Sequence, residues 1–459
     1  AVLLRWTNGV EQGVAGPLPQ ACLRADEREG EVGSCPFVYA FDGKEWRFIA
    51  DCHSGTPLGL PYADGKYLPP RSSETILVPG EALRPAGGVL RVDLAEELRE
   101  LFYADRVVLR AIDHPAGARP VLDEGFRVTR FPAFAVHPLE GLRPPLSARD
   151  GKGRDWLPHI AARDGRHAVV FDPLPMQYEG LAREWSIVLD FGDLSRAARV
   201  LLVMDGWVEF PTASASIACS RSETVAFKPP VIETVGADGA WTVADPDAGF
   251  PAGKGKAALV DLSGKFPTSD GRVRVTSTLR LHWDAFLVST GEDGPFALTE
   301  LPLRAAGHRF RGLGERVVDP ARELPWRYAH DRLVAFYPWD QMPRGMLTRY
   351  GDVRELLLAA DDRYPILASG DVVELSFDAG PLPPLPDGWT RDFAFTTEGW
   401  VKDADMNQAV RESVGPLPFR AMSGYPYPAT ESHPHPEFAR DWLTRPARAL
   451  VNPEGVGGR

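Results

Sequence analysis

From Arg272 to Val275, and again from Leu279 to Trp283, the chain alternates residue by residue. Val273 and Val275 fall on one side, Arg272 and Arg274 on the other; Leu279, Leu281 and Trp283 then oppose Arg280 and His282. A period of two marks an antiparallel strand with one buried face, and a helix cannot present it to a single core. The pattern recurs. Phe37-Val38-Tyr39-Ala40-Phe41 and Trp46-Arg47-Phe48-Ile49-Ala50 flank Asp42-Gly43, which predicts a hairpin. Further strands are expected at residues 89–94, 103–112, 183–189, 229–233, 241–243, 258–262 and 373–377. Residues 200–204 form a continuous apolar run ending at Asp205-Gly206-Trp207, as in a strand buried on both faces. Gly (44) and Pro (43) make up about one residue in five of 459, against roughly 12% on average. They show no repeat period, so they serve as turns between short strands. The expected fold class is all-β with minor α: β-sandwich or jelly-roll modules, one or two short helices and an extended C-terminal tail.

Two segments read as helical. Residues 94–102 suit a short helix between strands. Asp352 and Glu355 form a capping box, after which Val353, Leu356, Leu357 and Ala360 share one apolar face.

A chain of 459 residues exceeds one ordinary core. The expected organisation is a leading segment and linker at 1–30, a β-rich module at 31–145, a sandwich at 146–305, and a β-rich C-terminal module at 306–459. The boundary at 145/146 is marked by the polar, Pro-rich passage 138–158 in which it lies. The last module ends in a tail rich in Pro and aromatic residues after Phe419, which suits lying across a surface. The sequence opens at Ala1 on a strand-like run, as expected of a processed or partial product.

A net charge of −12 argues against nucleic-acid binding, which needs a basic surface. No apolar run reaches the ~18–20 residues that span a bilayer as a helix. Cys22, Cys35, Cys52 and Cys219 fit no zinc or haem spacing; Cys35 and Cys52 pair in an oxidising compartment or stay as buried thiols.

The sharpest site candidate is Gly399-Trp400-Val401-Lys402-Asp403-Ala404-Asp405-Met406-Asn407. Asp403, Asp405 and Asn407 alternate, so their oxygens can converge on a hard cation, with Glu412 as an extra ligand. Calcium is the candidate; a solvated polar turn is the alternative. It is not an EF-hand, since Gln408 and Val414 occupy the positions of the required Gly and Glu. His433 and His435 offer two imidazoles, or a merely extended Pro-flanked segment. Cys52-His53 would need both side chains on one face to act as nucleophile and base, and neighbours on a strand point apart. Among Trp207, Trp241, Trp283, Trp339, Trp389 and Trp400, Trp207 is the candidate sugar contact, and core packing is the alternative for all.

Three groups of residues carry a family resemblance. Leu4-Arg5-Trp6-Thr7-Asn8-Gly9-Val10 resembles the end of an ASPIC/UnbV domain. Residues 35–43, Asp51 and Thr56-Pro57-Leu58-Gly59-Leu60 are similar to the segment that follows it in large bacterial proteins with FG-GAP or tetratricopeptide repeats. Arg391-Asp392-Phe393, residues 399–407, Pro416-Leu417-Pro418-Phe419, Met422 and Tyr425-Pro426-Tyr427 resemble the C-terminal region of those proteins. The upstream repeats are not in this sequence. The middle module separately resembles a galactose-binding-type jelly roll, on residues 249–254, 260–262 and 274–284. That resemblance implies a loop-borne site for sugars or lipid headgroups, or a spacer role.

The expectation is an extracytoplasmic, non-catalytic structural or interaction module, partnered by other subunits or by the upstream part of its own polypeptide. Glycan binding through the jelly roll is the second reading, and a polysaccharide-active enzyme with a carboxylate pair is the third.

Overall fold

Strand pairing brings distant parts of the chain together. The Trp389–Lys402 strand runs antiparallel between Leu101–Pro115 and Ser73–Val78. Ala297–Leu301 and Ile366–Ala368 also pair with Leu101–Pro115, which completes a five-stranded sheet. A six-stranded sheet has the order Gly351–Asp352, Leu303–Phe310, Asp371–Asp378, Val89–Ala95, Phe37–Phe41, Trp46–Asp51. The two sheets share one core, which includes Val38, Leu94, Phe102, Leu375, Phe395 and Trp400. The computed structural model describes residues 2–5, 11–14, 36–53, 56–128, 132–319, 322–334, 343–405 and 407–447. The Asn8-Gly9 turn, Cys22, Cys35, Trp339 and residues 448–459 lie outside them.

The strands expected in separate modules at 31–145 and 306–459 thus alternate within the same two sheets. A second lobe lies between them in sequence. Its seven-stranded sheet follows the order Ser147–Asp150, Leu181–Asp190, Arg272–Ser289, Leu201–Glu209, Lys256–Asp261, with Val231–Val235 and Trp241–Asp245 alongside. The opening alternation continues into one 18-residue strand, Arg272–Ser289. Its first half pairs with Leu181–Asp190 and Val231–Val235, and its second half with Leu201–Glu209. Val273, Val275, Leu279, Leu281 and Trp283 all enter the lobe's core, as their spacing requires. The chain is mostly strand with few short helices, in agreement with the expected class.

Neither expected α-helix forms, and the sheet claims the start of each. Leu94 and Ala95 remain in register with Val373 and Val372. Glu96 then exchanges backbone hydrogen bonds with Asp371 and Gly370, so its amide and carbonyl are satisfied across the sheet rather than along a helix. At 352–360 only Arg354–Leu357 turns, as a 3-10 helix. Asp352 pairs with Gly307 and Val353 donates to the Ala306 carbonyl, which ties the start to the sheet; Val353, Leu356 and Leu357 are nevertheless buried in the core. The α-helices among the described residues are Leu157–Ile160, Ala213–Ser220 and Pro436–Trp442. No helix among them is long and apolar enough to cross a membrane.

Candidate functional site

The unusual chemistry collects where the two lobes meet. In Ser73–Val78 the alternation turns Glu74 inward, while Ser73 and Thr75 face out. Lys256, the first residue of Lys256–Asp261 in the other lobe, places its Nζ 2.5 Å from Glu74 Oε1 and 2.7 Å from the Ala252 carbonyl. Beside it the Lys254 amide donates to Asp51 Oδ1 at 2.7 Å, and its ammonium lies 3.4 Å from Asp51 Oδ2. Burial opposes ionisation of Glu74 and Asp51. The lysines outweigh it and hold both carboxyls below their ordinary range. Gly253, at φ +131°, makes this approach possible, because a Cβ there would lie 2.2 Å from Asp51 Oδ1.

His53 sits in the same cluster at φ +59°. Its amide donates to Glu74 Oε2 at 2.5 Å, and its Nε2 lies 2.8 Å from Thr397 Oγ1. Burial pushes its imidazole down to about 4, so the ring is neutral. The Cys52 thiol faces the Pro36 carbonyl at 3.5 Å, and burial pushes it well up. Cys52 and His53 therefore serve separate contacts rather than a dyad.

Glu124 is the third element of the junction. Its Oε1 accepts the Leu77 amide at 2.9 Å and its Oε2 the Ala257 amide at 3.1 Å, one from each lobe. Burial, greater in effect than these hydrogen bonds, pushes its carboxyl up to about 7. A cleft of about 580 Å³ opens above it, with Phe48 and Leu77 on the apolar side and Lys44, Arg84 and Arg163 among its cations.

The expected cation loop forms a second contact between lobes. Asp405 is buried, and its Oδ1 accepts the Ser214 hydroxyl from the Ala213–Ser220 helix at 3.0 Å and the Asn407 amide at 3.1 Å. Asn407 Nδ2 donates to the same Ser214 Oγ at 3.0 Å, and Asp403 Oδ1 accepts the Asp405 amide at 3.1 Å. Burial, with the Asp403 charge beside it, pushes the Asp405 carboxyl up to about 6. Asp403, Asp405 and Asn407 are thus brought together. Glu412 points elsewhere, 66% exposed and 3.4 Å from Arg411. The loop also rests on the Thr56–Leu60 motif: Leu58 donates to the Val401 carbonyl and Ala409 to that of Gly59.

The other resembling motifs fasten the C-terminal tail to its own lobe. Arg391 forks onto Asp113 at 2.5 and 2.8 Å, and Asp392 accepts the Gly80 amide at 2.7 Å. Proline-rich backbone cannot join a ladder, and side chains satisfy its carbonyls instead. Hydroxyls of Tyr103, Tyr425, Tyr427 and Tyr364 donate to the carbonyls of Val414, Pro416, Leu417 and Pro418. Lys402 Nζ donates to the carbonyls of Ser413, Val414 and Gly415 at 2.8, 3.2 and 3.1 Å. Burial pushes that ammonium down to about 7. Phe438 and Leu443 then close over the core.

Trp207 corrects an expectation. It is 1% exposed and stacks on His282 at 4.0 Å, so it has no open face for a sugar ring. Trp283 and Trp400 are buried as well. His433 packs on Phe438, and His435 lies 3.3 Å from Glu437. Sequence reading missed the junction cluster because its partners are far apart in the chain; two lysines set among Gly253 and Gly255 were the available signal. No family model matches the chain, and no curated protein matches it.

Proposed function

We propose that the chain is a non-catalytic structural and interaction module of a larger extracytoplasmic protein or assembly, in which two β lobes are locked at a fixed spacing. The observation that carries this reading is the junction itself. Its titratable groups close one lobe onto the other: Lys256 on Glu74, Lys254 on Asp51, and Glu124 on the amides of Leu77 and Ala257. Glu124 lines the cleft, yet it is only 6% exposed and both of its oxygens are engaged by backbone amides, one from each lobe. The resemblance to regions that follow ASPIC/UnbV modules points the same way.

Chemical cross-linking in the producing cell tests the reading. High-mass cross-linked species are expected with the wild-type chain and are lost with Lys256→Met, which breaks the joint. A parallel screen on polysaccharides, glycosides and esters is expected to give no turnover. Hydrolysis by the wild type that falls with Glu124→Gln overturns the reading.

A further inference from the structure

On the reverse side of the sheet that carries Glu74, a groove of about 380 Å³ crosses three strands. The register sets its floor in rungs. Ser73, Glu398 and Arg106 form one, Thr75 and Thr396 the next, and Arg110 stands one rung further along its own strand. Thr75 and Thr396 share a hydroxyl contact at 2.8 Å, and Arg110 Nη1 donates to Thr396 Oγ1 at 3.3 Å. Phe134 forms a wall, 42% exposed, with the Arg110 guanidinium 5.1 Å from its ring centre.

Charge makes the groove unusual on a chain of net −12. Each carboxylate in its lining is held by a cation beyond its open face. Glu74 meets Lys256 through the sheet at 2.5 Å, Asp123 meets Arg127 at 2.7 Å, and Glu398 lies 2.6 Å from Arg420 as well as 2.8 Å from Arg106. With Glu398 shared between Arg106 and Arg420, the arginines in the lining leave the groove cationic. Arg106 Nε is buried without a hydrogen-bond partner. Among the described residues Arg110 forms its ion pair at the rim, with Glu300 at 3.0 Å, and that carboxylate is 63% exposed. An exposed pair of this kind is weak and yields readily to a better anion.

We infer that this groove binds an acidic glycan, with a carboxylate or sulfate on the arginine pair Arg106 and Arg110 and sugar hydroxyls on Thr75 and Thr396. Guanidinium forks match planar or tetrahedral oxyanions, and the paired threonines match a hydroxyl-rich chain rather than a stacked base. A single aromatic wall suits one sugar face and falls short of the successive platforms that single-stranded nucleic acid uses. The site lies on the lobe opposite the galactose-binding-like module and does not involve Trp207.

Affinity electrophoresis and titration calorimetry of the full chain test this, with oligogalacturonate, heparin, neutral dextran and inorganic polyphosphate as probes. Retardation is expected with oligogalacturonate, heparin or both, and none with dextran. Oligogalacturonate alone assigns a uronate site, and heparin alone a sulfate site. Arg110→Gln is expected to weaken binding roughly tenfold or more, the loss that goes with one charge-assisted hydrogen bond. Arg110→Lys keeps the charge but not the fork, and is expected to fall between. Arg166→Gln, on an arginine 70% exposed in the other lobe, is expected to bind as wild type. Thermal melting of each variant confirms that it is folded; should Arg110→Gln fail, Arg110→Lys alone decides. Equal binding to polyphosphate, equal loss with Arg166→Gln, or no glycan binding at all overturns the proposal.

Discussion

Glu74 and Lys256 meet at 2.5 Å with side chains 2% and 0% exposed, and each belongs to a different lobe. A buried pair of this kind gives little net stability, because desolvation offsets most of the attraction. Its geometry is nonetheless demanding, since either charge left alone is costly. Lys256→Met is therefore expected to destabilise the chain by about 3–5 kcal/mol. Adding Glu74→Met should restore most of that loss, as both charges are then gone. Denaturant unfolding of the four species of the cycle measures the coupling; additive losses would show that the two side chains act independently.

Glu124 gives the junction a pH dependence of known sign. Its folded carboxyl titrates at about 7, above its ordinary 4.5. Between those values the folded state binds more protons than the unfolded one, so stability falls as pH rises through the window. The contribution is complete below 4.5 and lost above 7, with an upper size of about 3 kcal/mol. Glu124→Gln cannot ionise and should lose this component of the slope. Melting temperatures of both proteins from pH 4.5 to 8 check it, and parallel curves would place the titration elsewhere.

The sheets were legible because burial imprints a period on neighbouring residues. Val273, Val275, Leu279, Leu281 and Trp283 could be assigned to one face before any partner strand was known. The lobes were not legible in the same way. Leu101–Pro115 meets Trp389–Lys402 across almost three hundred residues of chain, and nothing local in either strand states that pairing. The stretch 399–407 was legible only in part, for a related reason. Its first four residues finish a strand, displaced by a bulge at Gly399, where a Cβ would lie 2.0 Å from the Tyr103 carbonyl. Alternating Asp and Asn residues suggested ligands converging on an ion. The fold aims Asp405 and Asn407 at Ser214, a residue whose place no spacing rule could supply.

Ser214 joins the Ala213–Ser220 helix to that loop through two hydrogen bonds, one from its hydroxyl to Asp405 and one accepted from Asn407. Ser214→Ala is expected to cost about 1–3 kcal/mol, since it leaves a buried carboxylate oxygen short of a donor. Because the contact is direct, the loss should be the same with and without a chelator. A loss that appears only without the chelator would instead assign the loop's oxygens to a bound cation.

The tail is held from two sides, and the two can be separated. Lys402 caps the carbonyls of Ser413, Val414 and Gly415, while Phe438, 1% exposed, plugs the core further along. Lys402→Met removes a donor from three carbonyls, of which that of Val414 keeps the Tyr103 hydroxyl, and should cost about 2–3 kcal/mol. Phe438→Ala leaves a cavity and should cost about 3–5 kcal/mol. Deleting residues 416–459 outright would uncover the sandwich core, so loss of a complex after that deletion would not distinguish docking from unfolding. Phe438→Ala is the better probe. It should raise protease sensitivity first at the Pro436–Trp442 helix, while protection in the Lys256–Asp261 strand of the other lobe stays unchanged by hydrogen exchange. Equal loosening of that strand would show that the tail supports both lobes rather than the one it packs against.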